Sequence, residues 1–314
     1  MKILSACLLG IFVILGSQIT NAYELGTTKG SANYQTGVAL AKTLNTAGIK
    51  LTPIPHSGTN AYMEKMDVGK IDFGLGGVYN LNWGYKGYGP FKKPLKNLRF
   101  VANLEPFFTA MCVPVDSDIK TYQDLKGKRL PSEFKAAPNF HFLYTYMLRN
   151  GDLTYDDVKS VPIASLGKSW EAISKGRIDA AMFALGSGAA KKYNTLVSGG
   201  LRCISNNEGK LELEMLKDWG GVKVVELKPS PKFPLVKEPI RVQKFNYTLF
   251  AHKDVPMEVV EKIVIALYRH AKVFKSSSGL TSTFDKSEMH DFFLVPMHEG
   301  AVDAYITLGL IHIK

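Results

Sequence analysis

Cysteine is scarce. The 314-residue chain has three, and none lies in a C-x-x-C pair or near histidine at a metal-ligand spacing. No H-E-x-x-H occurs, and Ser187 in "LGSGAA" lies between glycines without completing a G-x-S-x-G elbow. The Walker pattern is missing as well. In "GTTKGSANY" Lys29 precedes Gly30, whereas a phosphate loop needs its lysine after the second glycine. These gaps exclude zinc proteases, hydrolases of the elbow type and P-loop enzymes, and they leave no cofactor or metal to expect. The seven histidines are scattered. His270 on a helical pattern and His298 in "PMHEG" read as structural, while His56 and His141 sit at strand–loop edges where a ligand can be touched.

Acidic residues are in deficit, 28 against 39 Lys and Arg, for a net charge of +11. That excess suits an anionic ligand or surface, or a set of solvated helix faces. The stretch "NWGYKGYGPFKKPLKNLRF" mixes aromatic and basic residues, but no nucleic-acid motif accompanies it and no nucleic-acid partner is expected.

Long hydrophobic runs are also lacking, except one. "MKILSACLLGIFVILGSQITNA" has a single cation, Lys2, then apolar sequence from Ile3 to Leu15, too short and too early for a membrane span. It ends on the small residue Ala22. Residues 1–22 read as a signal peptide cleaved after Ala22, which places the mature protein in the periplasm. Cys7 comes after "LSA", yet the apolar run continues past it, so it belongs to the discarded segment. A cytosolic nucleotide enzyme is thereby disfavoured. Cys112 and Cys203 remain, both in apolar strand-like contexts, and buried free thiols are favoured over a bridge although export permits pairing.

The chain beyond Ala22 is long enough for two domains. "YELGTTKGSANYQTGVALAKTLN" reads as a strand end, a polar loop and a helix from Asn33 to Thr46, with Tyr34, Val38, Ala41 and Leu44 at helical spacing. Ser31 or Asn33 can cap it. Its amino terminus therefore points free N–H groups into the loop, as an anion cradle does. A second unit, "HSGTNAYMEKMDVGKIDFGLGG", starts a helix near Ser57–Asn60 with Tyr62, Met63 and Met66 inward. Gly69-Lys70-Ile71-Asp72 is echoed by Gly176-Arg177-Ile178-Asp179, each between an amphipathic helix and an apolar strand. This implies two α/β domains built alike. The echoed Asp72 and Asp179 read as turn residues and not as a catalytic pair. Two long extended segments, Phe107–Val115 and Phe245–Ala251, bracket the second unit and are expected to be hinge strands.

Taken in order, "GTTKGSANYQTGVALAKTLN", "HSGTNAYMEKMDVGKIDFGL", "DLKGKRL", "LTYDDVKSVPIASLGKSWEAISKGRIDAAMF" and "PMHEGAVDAYITLG" resemble the TAXI-type solute-binding receptors of TRAP transporters, through nearly all of the chain after the leader. The resemblance implies an α/β fold of the two-lobe periplasmic-binding-protein type II class, with a small ligand between the lobes and delivery to a separate membrane permease. The first lobe is expected at residues 23–110 and 247–314 and the second at 111–246; a monomer is expected, and no enzymatic activity, since no catalytic constellation is present. Where many members carry a glycine- and serine-rich loop, this chain has "PSEFKAAPNFHF", so the family's usual glutamate is not carried over.

The ligand expected from the residues is a small organic anion, a carboxylate with an apolar or aromatic portion. Hydroxyls, amides and helix-end N–H groups hold such a group. Thr27, Thr28, Ser31, Ser57, Thr59 and Asn60 can supply them from the first lobe, with Asn139 from the second. Lys29 or Lys135 can supply charge, and Tyr34, Tyr79, Phe134 and Phe183 an apolar wall. A receptor of the same fold serving an ABC importer, for a sulfonate or a thiamine-precursor-like ligand, is the alternative. An exported enzyme is the remote one.

Overall fold

The computed structural model describes residues 22–291 and 294–312. The leader reading falls on residues 1–22 and, apart from Ala22, lies outside them. The first half alternates strands and helices: β1 (Tyr23–Thr28), α1 (Ala32–Asn45), β2 (Leu51–His56), α2 (Thr59–Asp67), β3 (Phe73–Gly77) and α3 (Val78–Lys86), then the long β4 (Leu98–Pro114). The second half holds β5 (Arg129–Glu133), α4 (Asn139–Arg149), β6 (Lys159–Ile163), α5 (Leu166–Ser174), β7 (Ala181–Ala184), α6 (Gly188–Leu196), β8 (Leu201–Cys203), α7 (Lys210–Leu216) and β9 (Lys223–Leu227). The long β10 (Ile240–His252) returns to the first half, succeeded by α8 (Met257–Arg269), α9 (Ala271–Ser276) and α10 (Glu299–Thr307).

β1 pairs in parallel with both β2 and β3, as right-handed βαβ units require. β10 runs antiparallel to β3 through Tyr247–Ala251 and to β9 through Ile240–Lys244. β4 lies alongside β10, and its far end, Thr109–Pro114, takes β7 and β8 as partners. Phe107–Pro114 and Phe245–Ala251 are thus parts of longer strands that pair with each other, the two expected segments themselves meeting at Phe107 and Phe245. They pass from one set of neighbours to the other inside one hydrogen-bonded sheet, where two separate sheets were anticipated. β5 and β6 form a small parallel sheet of their own.

The buried residues form two clusters that do not coincide with the expected lobes. One joins Leu40 and Leu44 of α1 to Val264 and Leu267 of α8 and Tyr305 of α10. The other runs from Tyr62, Met63 and Met66 of α2 through Trp83 of α3 to Tyr146, Phe183 and Trp219 of the second half. Trp83 Nε1 donates to the carbonyl of Asp218 at 3.1 Å, and Trp219 stacks on Tyr146 at 5.7 Å.

Three sequence expectations meet their physical test here. The inward face of α2 is as read, with Tyr62, Met63 and Met66 fully buried. That of α1 is rotated: Tyr34 and Val38 are 36% and 46% exposed, while Asn33, Thr36 and Thr43 are buried. Hydrogen bonds override hydrophobicity there, because Asn33 Oδ1 accepts from Thr28 N and its Nδ2 donates to Leu75 O, while Thr36 donates to Glu105. The thiol reading is corrected outright. Cys112 and Cys203 face each other across β4 and β8 and form a disulfide; the pairing register between distant strands was invisible in one dimension.

The echoed tetrapeptides are equivalent in space. Gly69 and Gly176 both take left-handed φ, 70° and 64°, ending α2 and the α5 turn. Asp72 Oδ2 then accepts from Glu24 N at 2.8 Å, and Asp179 Oδ2 from Arg129 N at 2.7 Å. Each aspartate ties down the start of a strand, β1 or β5.

Candidate functional site

Each helix from α1 to α6 begins directly after a loop that leaves a strand. The first turn of each reaches one of two adjoining cavities, of about 100 Å³ and about 40 Å³. The larger is lined by Ser31 and Ala32 at the start of α1, Leu166 at the start of α5 and Ser187–Ala189 at the start of α6. The smaller meets Thr59 of α2, Asn80 of α3 and Asn139 of α4, with Thr28 and Asn33. Ser31, Tyr79, Phe140 and Tyr247 border both. Each volume holds more than one water.

Six amino termini therefore aim N–H groups and partial positive charge at one region, and in α6 one of these, Ala190 N, is already taken up by Ser187 Oγ. None of these helices has an acidic residue in its first turn to compensate. Of the helices outside the cavities, α7 has Glu212, α8 Glu258 and α10 Glu299 in the first turn, while the short α9 has no acid there. The smaller cavity also holds buried polar atoms with no hydrogen-bond partner, namely Thr28 Oγ1, Asn80 Nδ2 and Asn139 Oδ1. Those residues are 9%, 2% and 4% exposed. Buried polar groups are rarely left unsatisfied in native proteins, so this wall has the form of one awaiting an occupant.

The larger cavity is mostly apolar. Phe107, Phe245 and Tyr247 form its floor, where Phe107 and Tyr247 lie 4.5 Å apart. Trp170 closes a side, stacked 5.7 Å from Phe183 and held by Nε1 donating to Met182 O at 2.9 Å. No Asp, Glu, His, Lys, Arg or Cys among the described residues lines either cavity. Burial drives the Tyr79 phenol well above its ordinary range, and burial first, then Tyr79 and Glu105, does the same to Tyr247. Ser31 Oγ donates to Thr28 O, and Ser187 Oγ accepts from Ala190 N, so neither serine faces a base. The lining has the chemistry for holding a polar or charged head against neutral donors, and none for acid–base or nucleophilic catalysis.

Thr28, Ser31, Thr59, Tyr79 and Asn139 of the sequence-derived set come together in this lining. The others lie outside it. Thr27 is buried beneath β2, its hydroxyl donating to Ile54 O at 3.1 Å. Lys29 and Ser57 are exposed or partly so, and Tyr34 is on the outer face of α1. Asn60 keeps a buried Oδ1 without a partner beside Gly58. A Cβ on Gly58 would sit 3.3 Å from Ala136 O and Ala137 Cα, so the "EFKAAPNFHF" loop closes against α2 there. Phe134 is buried at φ 45° and stacks on Tyr144 at 5.3 Å. Phe183 is buried behind Trp170. The Lys135 side chain is 84% exposed and pairs with Glu133 at 3.3 Å. His141 stacks on Tyr155 at 4.6 Å and His56 packs by Tyr62; burial lowers the pKa of both. His298 is an N-cap whose Nδ1 accepts from Gly300 N.

Sequence reading missed Gln35, Phe107, Trp170, Ser187 and Tyr247. A signal existed for part of this set. The offset that carries Gly69 onto Gly176 also carries Ala32 onto Asn139, Thr59 onto Leu166 and Asn80 onto Ser187. Extending the echo beyond four residues marks the helix starts that meet at the cavities. Nothing local marks Phe107 or Tyr247.

Comparison with solved structures places the same architecture in known proteins. A protein from Bordetella bronchiseptica RB50 superposes with a TM-score of 0.55 at 13% identity, covering 92% of this chain and 98% of that one. A periplasmic transporter gives 0.55 at 15%, covering 92% and 93%. A Xanthomonas citri protein bound to ATP gives 0.52 at 12%, covering 91% and 95%. The shared fold is the two-lobe periplasmic-binding-protein fold. With residues 25–309 matching the family as a unit, the chain belongs to the NMT1-like family.

Proposed function

We propose that the protein is an extracytoplasmic solute receptor that binds a small organic anion with an apolar or aromatic portion and hands it to a membrane permease. The observation that carries this reading is the convergence of six helix amino termini, free of first-turn acids, on a wall with unpartnered buried Thr28, Asn80 and Asn139 atoms. The anionic head would sit at that wall and the apolar portion between Trp170, Phe107 and Tyr247. A carboxylate and a sulfonate meet the same donors equally well. β4 and β10 would act as the hinge between lobes at 23–110 with 247–314 and 111–246. The leader fits delivery to the periplasm as a monomer.

Of the two permease classes, we take an ABC importer as the first reading; the family matched is described as NMT1-like, which names neither class. The TAXI resemblance keeps the TRAP reading as the second. Reconstituted uptake with the permease encoded beside this gene separates them, by whether it needs ATP hydrolysis or an ion gradient.

The ligand class is tested by mass spectrometry of small molecules released on denaturing the fresh protein, then by thermal-shift measurements with organic acids, sulfonates and neutral sugars. A true ligand stabilises by about 2.7 kcal/mol at a hundredfold excess over Kd. Stabilisation by sugars alone would overturn the reading.

A further inference from the structure

Glu105 is the one carboxylate among the described residues that is buried, at 0% exposure in the middle of β4. A buried charge ordinarily has an ion partner. Glu105 has none among the described residues: Thr36 of α1 donates to Oε1, and Oε2 has no partner at all. Its surroundings are the back of the proposed site. Phe107, two residues along β4, lines the larger cavity. Gln35, next to the bonded Thr36, lines it too. Across the sheet, β4 bulges between Asn103 and Pro106, so that Glu105 meets Tyr247, which borders both cavities.

We propose that Glu105 is a proton-binding residue of the receptor, so that one proton is held on its carboxyl whenever an anion occupies the cleft. This rests on the anion reading above. The reason is electrostatic: an ionised Glu105 and a bound anion would lie in one poorly solvated region with no cation between them. The groups facing Glu105 are Thr36 from α1 and Tyr247 from β10, the phenol itself coupled to Tyr79 of α3 and Tyr62 of α2. None of them is cationic. Burial, opposed by the Thr36 bond, raises the Glu105 pKa to about 7 even without a ligand. A neutral Glu105 would carry its proton on Oε2, since Thr36 already donates to Oε1. Anion affinity then falls as the solution becomes alkaline, and each anion bound there brings in a proton.

The experiment is titration calorimetry with two probes, benzoate and its uncharged analogue benzamide, at about pH 6 and about pH 8.5, on the wild type and Glu105→Gln. Glutamine keeps the acceptor for Thr36 and removes the titration. Wild-type affinity for benzoate is expected to drop on the order of tenfold at the higher pH, and benzamide affinity to stay level. The variant is expected to bind benzoate equally at both. Near pH 8, heats measured in buffers of different ionisation enthalpy should show about half a proton or more taken up per benzoate in the wild type and none in the variant. Benzoate binding that is pH-independent and proton-neutral in the wild type overturns the role of Glu105 and leaves the anion reading intact. Binding of benzamide without benzoate, or of neither, overturns both. The wild-type arms stand even if the variant folds poorly.

Discussion

The two halves of the molecule share a scaffold and differ in chemistry. Asp72 and Asp179 do the same work at the same point of the repeat, each fastening a strand start through a backbone N–H. The helix starts line up at the same spacing. Yet the first half brings Thr28, Thr59 and Asn80 to the cleft along with Tyr79 and Phe107, whereas the second brings Phe140, Leu166, Trp170 and Met182 along with Asn139 and Ser187. The first buries a lone carboxylate, and the second is closed by a disulfide. Residues that build a half are constrained by backbone geometry common to both. Residues that face the cleft answer to the occupant, so the two walls are free to diverge, the first half's richer in polar groups and the second's in apolar ones.

The largest test of that contrast is the covalent one. Cys112 and Cys203 close a loop with a sequence separation of 91. In the chain-entropy account, a loop of that size contributes about 4.6 kcal/mol. Replacing both by serine should lower the unfolding free energy by about that much in urea titrations. Hydrogen exchange should show the loss in β7 and β8 before β1–β3. Uniform loss across both halves would mean that they unfold as one unit.

Next is the buried acid of the first half. The Glu105 pKa rises from 4.5 to about 7 on folding, chiefly through burial. The folded state therefore holds a proton that the unfolded state has released, and stability declines as pH rises between those values. Urea unfolding of Glu105→Gln should gain on the wild type by about 3 kcal/mol across that window and hold level above it. A constant difference at every pH would show that the carboxyl is solvated in the folded protein.

The echo itself can be measured. Asp72→Ala and Asp179→Ala each remove an acceptor for a strand-start N–H, at a cost of about 1–2 kcal/mol. Asp179 also pairs with Arg129 at 2.5 Å, and burial opposed by that hydrogen bond leaves its pKa below the usual value. That partly exposed pair adds at most a few tenths of a kcal/mol, so the two variants should lie close together in thermal melts. An Asp72→Ala variant as stable as the wild type would dissolve the equivalence.

The smallest expected stability effect is the most specific to the cleft. Thr28→Val deletes a hydroxyl that has no partner, so the empty protein should be as stable as the wild type or slightly more so. Benzoate affinity should fall by about tenfold, the equivalent of one hydrogen bond to a charged group. Unchanged affinity would move the anionic head away from the first half's wall.

Much of this was present in one dimension. The alternation of glycine-ended helices with apolar strands, the inward face of α2 and the paired turn aspartates depend on contacts within a few dozen residues, which local pattern encodes. Five of the residues chosen for an anion site at the helix starts line the cavities. The chosen residues that lie outside the cavities are of both kinds, Thr27, Ser57 and Asn60 among the polar ones and Lys29, Lys135, Tyr34, Phe134 and Phe183 among the rest. Lys29 and Lys135 were chosen for charge and Phe134 and Phe183 for apolarity, but the direction of a side chain at a loop or strand depends on what packs behind it. Tertiary structure alone decided the rotation of α1, because its buried face is fixed by hydrogen bonds from Asn33 to Leu75 and from Thr36 to Glu105. It alone decided the pairing of Cys112 with Cys203, which depends on β8 finding β4. It also placed Phe107 and Tyr247 under the cleft and Glu105 behind it, since only the crossing of β4 and β10 brings strands so distant in sequence into one sheet.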